Sequence, residues 1–167
     1  VPDASMDDIR KAADQANATK FILDGRHPDG FESEVGEKGF KLSGGEKQRA
    51  WIAMTICQQP EILLLDEPIT YLDIGYQVEV LELIKELGER LKITIVMVLH
   101  DMNFTARYSN RIYMLKDGHV YDYGKPDEII AHDKMENVFG IDSQIICDEK
   151  NGCPFMIPEK LRVREHS

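Results

Sequence analysis

Cysteine, proline, basic charge and long apolar runs are all scarce in this 167-residue chain. The longest apolar stretch, Ile93 to Leu99, falls well short of the ~20 residues a membrane span needs. The start, Val1-Pro2-Asp3-Ala4-Ser5, has no signal-peptide character. The chain is therefore expected to stay out of the bilayer. Lys and Arg number 20 against 30 Asp and Glu, a formal charge of −10. That balance repels phosphate backbones and anionic membrane surfaces and argues against indiscriminate nucleic-acid binding. Only 3 cysteines are present. Cys57 sits in an apolar helical run, and the spacing of Cys147 and Cys153 matches no common zinc pattern, so the expected home is a reducing cytosol. With 7 Pro, 12 Gly, 43% hydrophobic and 30% charged residues, the chain can bury a core, which excludes disordered and collagen-like classes. One domain or two small ones are expected.

What is present has a clear order. Ser5 followed by Asp8 is an N-cap signal, and Ile9, Ala12, Ala13 and Ala16 predict a first helix running to about Phe21. Glycines and the Pro28-Asp29-Gly30 turn make 24–41 a loop. Ser43 and Glu46 form a capping box for a second helix with an apolar face at Ala50, Ala53, Met54 and Cys57. Ile62 to Leu65 and Ile93 to Leu99 read as strands, and such fully apolar strands belong in sheets covered on both faces. Val80, Ile84, Leu87 and Leu91 keep a helical period between them, which makes a βαβ unit. A strand at Ile112 to Leu115 turns at Lys116-Asp117-Gly118 into a second strand at His119 to Tyr123, and Pro126-Asp127-Glu128 opens a short helix. Beyond Gly140 the pattern is mixed strand and loop. No internal repeat or low-complexity tract interrupts this order.

Three stretches carry chemistry. Leu42-Ser43-Gly44-Gly45-Glu46 is either a plain capped helix start or an anion seat, in which two glycines let N–H groups approach a phosphate where the helix dipole adds roughly half a positive charge. Ile62 to Leu65 ends in Asp66-Glu67-Pro68. Carboxylates at a strand's carboxyl end either face solvent or divide the work, Asp66 holding Mg²⁺ and Glu67 positioning or deprotonating a water. The second strand ends in His100-Asp101, which brings an imidazole to the same sheet edge if the two strands are parallel neighbours; a neutral His donates to a phosphate oxygen and a protonated one adds charge.

The order and spacing of Leu42 to Glu46, Leu63 to Pro68, Tyr71-Leu72-Asp73 and Leu99-His100-Asp101 resembles the nucleotide-binding domains of ABC transporters: signature motif, Walker B, D-loop and switch histidine. The resemblance implies a partial P-loop-NTPase-like α/β fold, a parallel sheet flanked by helices with a helical subdomain first. It implies a division into a helical subdomain with the signature helix (1–58), an α/β core (59–140) and a C-terminal tail (141–167). Carried over residue by residue, it has Ser43, Gly44 and Gly45, with Glu46 in the same motif, touching the γ-phosphate of an ATP bound mainly by the opposite subunit of a head-to-tail dimer. Asp66 would organise Mg²⁺ through water, Glu67 would be the general base or water-polarising carboxylate, Asp73 would bridge the subunits, and His100 would sense the γ-phosphate. ATP and Mg²⁺ are the implied cofactors; a second ABC ATPase domain and membrane subunits are the implied partners, at the cytoplasmic face of the cell membrane, with no nucleic acid. Glu46 stands where the family often has Gln, and Thr70-Tyr71 where Ser-Ala is common.

No G-x-x-x-x-G-K-[ST] loop precedes these motifs. Gly118 to Pro126 comes nearest, but it has five intervening residues and a Pro where the hydroxyl belongs. Without that loop several charge-assisted hydrogen bonds of ~1.5–3 kcal/mol each are lost, so the chain alone should not hydrolyse ATP efficiently. Two readings follow: a subunit, or part of one, that couples ATP hydrolysis to transport, or a truncated or chimeric fragment that folds and oligomerises without binding nucleotide. Residues 1–41 look like the exporter branch. Arg49 to Met54, Leu99 to Asn103 and Gly152 to Pro158 resemble ATPase subunits of iron–siderophore or cobalamin importers, which places a seam near 42–49 and argues against related ATPases of DNA repair or translation. Loss of the family's first strands would expose sheet edge and apolar face, so a dimer or higher oligomer is expected.

Overall fold

The computed structural model describes residues 4–36 and 42–161. The exporter-like pieces Val1-Pro2-Asp3 and Glu37-Lys38-Gly39 lie outside the described residues. The chain divides into two compact units between Val98 and Leu99.

In the first unit, Ser5 caps α1 (Met6–Gln15) through the reciprocal bonds its spacing to Asp8 predicts. The helix does not run on to Phe21. Asn17 takes φ 52° and the Ala18 N–H returns to the Ala13 carbonyl at 2.7 Å, closing the helix before α2 (Thr19–Ile22) begins. Asn tolerates this left-handed conformation at little cost, and the run of alanines around it masks the stop. A 3-10 turn at Gly30–Glu32 follows, then α3 (Gly44–Ile56). Strand β1 (Ile62–Asp66), α4 (Ile74–Leu91) and β2 (Thr94–Val98) form the βαβ unit, with β1 and β2 parallel and Asp66 in register with Val98. Ala12, Ala13, Ile52, Ile56, Leu63, Val80, Leu81, Ile84 and Leu87 are buried here. Gly88 lets α4 approach β2, since a Cβ there would stand 3.0 Å from the Ile95 Cδ1.

The expectation that both sheet faces are covered is corrected. Leu63 is 1% exposed, but Ile62 and Leu64 on β1 and Val96 and Val98 on β2, all at even positions and so on one face, are exposed, Leu64 to 72%. Among the described residues nothing seals that face.

The second unit holds α5 (Met102–Tyr108), the hairpin β3 (Ile112–Lys116) and β4 (His119–Gly124), α6 (Pro126–Ile129), and α7 (His132–Lys134) running into a π-helical turn at Met135–Phe139. It ends in a second hairpin, β5 (Ile141–Asp148) and β6 (Cys153–Leu161). This hairpin replaces the expected mixture of strand and loop. Pro158 had disguised it, and it is accommodated beside the register shift after Asp142. Ala106, Ile112, Met114, Ile129, Ile130, Met135 and Met156 make this unit's core. Among the described residues no helix is long and apolar enough to cross a membrane.

Candidate functional site

At the start of α3, Ser43 is extended (φ −62°, ψ 166°) and its hydroxyl accepts from the Glu46 N–H at 3.3 Å, while its own N–H donates to Glu46 Oε2 at 2.8 Å. Glu46 Oε1 takes a 2.5 Å bond from Arg26 Nη2, and Arg26 also binds Asp24. These partners push the Arg26 guanidinium up, Asp24 first and Glu46 second. Burial works to raise the Glu46 carboxyl, but the Ser43 N–H and the Arg26 guanidinium together outweigh it and hold the group below its ordinary range. The Glu46 charge is thus spent on its own helix cap and on Arg26. That leaves the N–H groups of Gly44 and Gly45, which as first-turn donors have no intrahelical acceptor, and the Ser43 O–H as donors for an anion.

Packing is close at both glycines and tightest at Gly45. A Cβ on Gly45 would stand 2.8 Å from the Tyr76 ring, and one on Gly44 would stand 3.0 Å from Leu72 Cδ2. The mouth of α3 therefore rests on Leu72, in the segment that joins β1 to α4, and on Tyr76 in the first turn of α4.

That segment begins at the carboxyl end of β1. Asp66 is exposed there, and Glu67 follows in a left-handed conformation (φ 47°), its N–H donating to the Val98 carbonyl at 3.2 Å. The Thr70 hydroxyl donates to Glu67 Oε2 at 2.9 Å. Asp73 caps α4, its Oδ1 accepting from the N–H groups of Gly75 and Tyr76. A Mg²⁺ ion is commonly held by one or two carboxylates with the remaining positions left to water and phosphate. Asp66, a single exposed carboxylate at a strand end, fits that partial role; among the described residues no cluster of three or more His, Cys, Asp or Glu could enclose an ion alone.

His100 stands two residues past the end of β2 and belongs to the second unit, where it is exposed; next to it, Asp101 caps α5 by accepting from the Phe104 N–H at 2.8 Å. The first unit thus brings together Ser43, Gly44, Gly45, Glu46, Glu67 and Asp73 along the α3 mouth and the 66–73 turn. Sequence reasoning passed over Arg26, Tyr76 and Gln77, and named Leu72 only within the Tyr71-Leu72-Asp73 motif. No local pattern singles out Gln77, since α4 also carries Glu79, Glu82, Lys85, Glu86, Glu89 and Arg90.

Residues 3–70 match the ABC transporter family model. The petrobactin import ATP-binding protein FpuC of Bacillus anthracis is 48% identical over 120 residues, 72% of this chain and 43% of that protein. The ferric enterobactin transport ATP-binding protein FepC of Escherichia coli is 43% identical over 117 residues, 70% of this chain and 43% of that protein. The chain thus spans less than half the length of these curated relatives. A solved structure named as a metal-chelate type ABC transporter, in an inward-facing conformation, superposes with a TM-score of 0.73 at 23% identity, covering 92% of this chain and 57% of that one, a likeness of fold. With motifs, relatives and fold in agreement, the chain belongs to the ABC transporter ATPases and carries part of their nucleotide-binding domain, of the P-loop NTPase fold.

Proposed function

We propose that the chain is the signature-motif and Walker B portion of an ATP-hydrolysing subunit in an ABC importer for an iron–siderophore or similar metal chelate. The observation that carries this reading is the ordered motif set, Ser43-Gly44-Gly45, Asp66-Glu67, Asp73 and His100, in a chain whose relatives are named as ATP-binding proteins of siderophore import. In this reading 1–58 is the helical subdomain, 59–140 the α/β core and 141–167 the tail. The working unit is a head-to-tail dimer with itself or another ABC ATPase domain, beside membrane permease subunits on the cytoplasmic side.

Each residue has a task its geometry allows. The Gly44 and Gly45 N–H groups and the Ser43 hydroxyl receive the terminal phosphate, Glu46 keeps that mouth in shape, and Asp66 holds Mg²⁺ through water. Glu67, fixed by Thr70, polarises a water; Asp73 meets the partner subunit; His100 donates to phosphate. When bound, Mg-ATP supplies the phosphoanhydride whose cleavage drives transport. The exposed face of β1 and β2 supports self-association of the chain.

A second reading is favoured by the lack of any G-x-x-x-x-G-K-[ST] string: by itself the chain folds and oligomerises without binding nucleotide. Calorimetry with Mg-ATP on the wild type, Glu67→Gln and Ser43→Ala separates the two. Micromolar binding weakened by Ser43→Ala supports a site assembled across an oligomer; no heat at millimolar ATP supports the second reading. The join of exporter-like and importer-like stretches near 42–49 is a further proposal, recombination, and one continuous natural gene encoding this chain after a P-loop would remove its engineered version.

A further inference from the structure

The turn after β1 holds two non-glycine residues in the left-handed region, Glu67 at φ 47° and Tyr71 at φ 65°. A glutamate and a tyrosine stay there only where surrounding bonds over-determine the backbone. Those bonds can be followed atom by atom. The Thr70 N–H donates to the Glu67 carbonyl at 3.2 Å and the Leu72 N–H to the Ile69 carbonyl at 3.3 Å. From α4, Gln77 Nε2 donates to the Leu72 carbonyl at 2.9 Å, with a longer 3.5 Å contact to the Ile69 carbonyl. Both partners are carbonyls, so only the nitrogen of the carboxamide can face them and its orientation is fixed by chemistry.

This turn reaches in two directions. Through the Thr70 hydroxyl it touches the Glu67 carboxylate, and through Leu72 it abuts Gly44, while Tyr76, one residue before Gln77, abuts Gly45. Gln77 is the side chain that ties the turn's carbonyls to α4, the helix carrying Tyr76.

We infer that Gln77 is a positioning residue that sets the spacing between the Glu67 carboxylate and the Gly44 and Gly45 N–H groups. Its functional meaning rests on the nucleotide reading above, but its geometry is testable without nucleotide. If Gln77 only fills space, Gln77→Leu, which keeps the bulk and adds no charge, is silent. If its N–H donation matters, Gln77→Leu perturbs the turn and Gln77→Glu perturbs it at least as much, because neither donates to a carbonyl at neutral pH and the carboxylate also repels it.

The experiment is ¹⁵N amide spectroscopy with hydrogen exchange on the full chain as wild type, Gln77→Leu, Gln77→Glu and, as a control on the same helix, Lys85→Ala. In both Gln77 variants the amides of Gly44, Gly45, Thr70 and Leu72 should shift, and exchange at Thr70 and Leu72 should rise at least about tenfold, whereas Lys85→Ala leaves them in place. In the wild type, the Gln77 side-chain amide protons should exchange more slowly than those of exposed Gln59, a readout that needs no variant to fold. Silence of Gln77→Leu at Gly44 and Gly45, or Gln77 protons as fast as those of Gln59, overturns the inference. Tripolyphosphate titrated onto the wild type reports separately on the nucleotide reading: no response at Gly44 and Gly45 counts against that reading while the variant comparison still decides the role of Gln77.

Discussion

The two units hold their strands in opposite ways. In the first, β1 and β2 are parallel, so an 18-residue helix must separate them in sequence before they can pair. In the second, both strand pairs are antiparallel hairpins closed by short turns, Asp117 at φ 50° and Gly118 at φ 77° making one of them. The parallel pair ends both strands at one edge, and the Asp66-Glu67 carboxylates and the turn that packs on the signature glycines lie there. A hairpin returns its chain to the start and presents no such edge. The lesson is that, His100 apart, the proposed chemistry sits at the one edge a parallel pair creates, in the unit whose sheet depends on a crossover helix.

Leu87→Ala should test that dependence hardest. Leu87 is fully buried on α4, and its truncation should cost about 2–5 kcal/mol. Urea unfolding followed residue by residue by amide exchange checks it, with protection at 62–98 expected to fall first. In the second unit the comparable long-range tie is polar. Asn103 on α5 donates to the Met156 carbonyl at 3.1 Å and accepts from the Met156 N–H at 2.7 Å. Asn103→Ala strips two half-buried backbone groups of their partner at about 1–3 kcal/mol, seen as faster exchange at the Met156 amide.

A smaller loss is expected from Ser43→Ala, which removes the acceptor for the Glu46 N–H at the mouth of α3. Such caps contribute about 0.5–2 kcal/mol, measurable as fraying of the first turn of α3 with the rest of the helix intact. The smallest effect is on pH. Glu46 has a folded-state pKa below its ordinary 4.5, so its stabilising contribution is fully present above that value and is lost as pH falls through the folded value. Denaturation midpoints compared at about pH 6 and about pH 3.5 should drop less in Glu46→Gln than in the wild type.

Sequence alone made some of this legible because the relevant contacts are short. Both capping boxes span three residues, the Asp117-Gly118 turn spans two, and the apolar runs of β1 and β2 announce strands by themselves. The break at Asn17 was hidden by helix-forming alanines on either side, and the long β5–β6 hairpin by Pro154 and Pro158, which weaken an alternating pattern. The candidate site divides the same way. Its motifs are contiguous strings, so their order could be read directly. The supports are not: Arg26 reaches Glu46 across 20 positions, and the Asn103 bonds to Met156 cross 53. No local pattern encodes pairs at such separations.

The open face of the parallel pair also shapes how the chain behaves when it is made in quantity. Ile93 to Leu99 is seven residues of high β-propensity with no proline and no charge, half of it on that exposed face, which is the composition of a fibril-forming segment. Its neighbours are Lys92 on one side and His100-Asp101 on the other, charged or titratable groups in the positions where natural sequences set gatekeepers against aggregation. The residues that punctuate the strand therefore also guard against aggregation, and neutralising Lys92 should show first as lost protein in the pellet, before any change in fold.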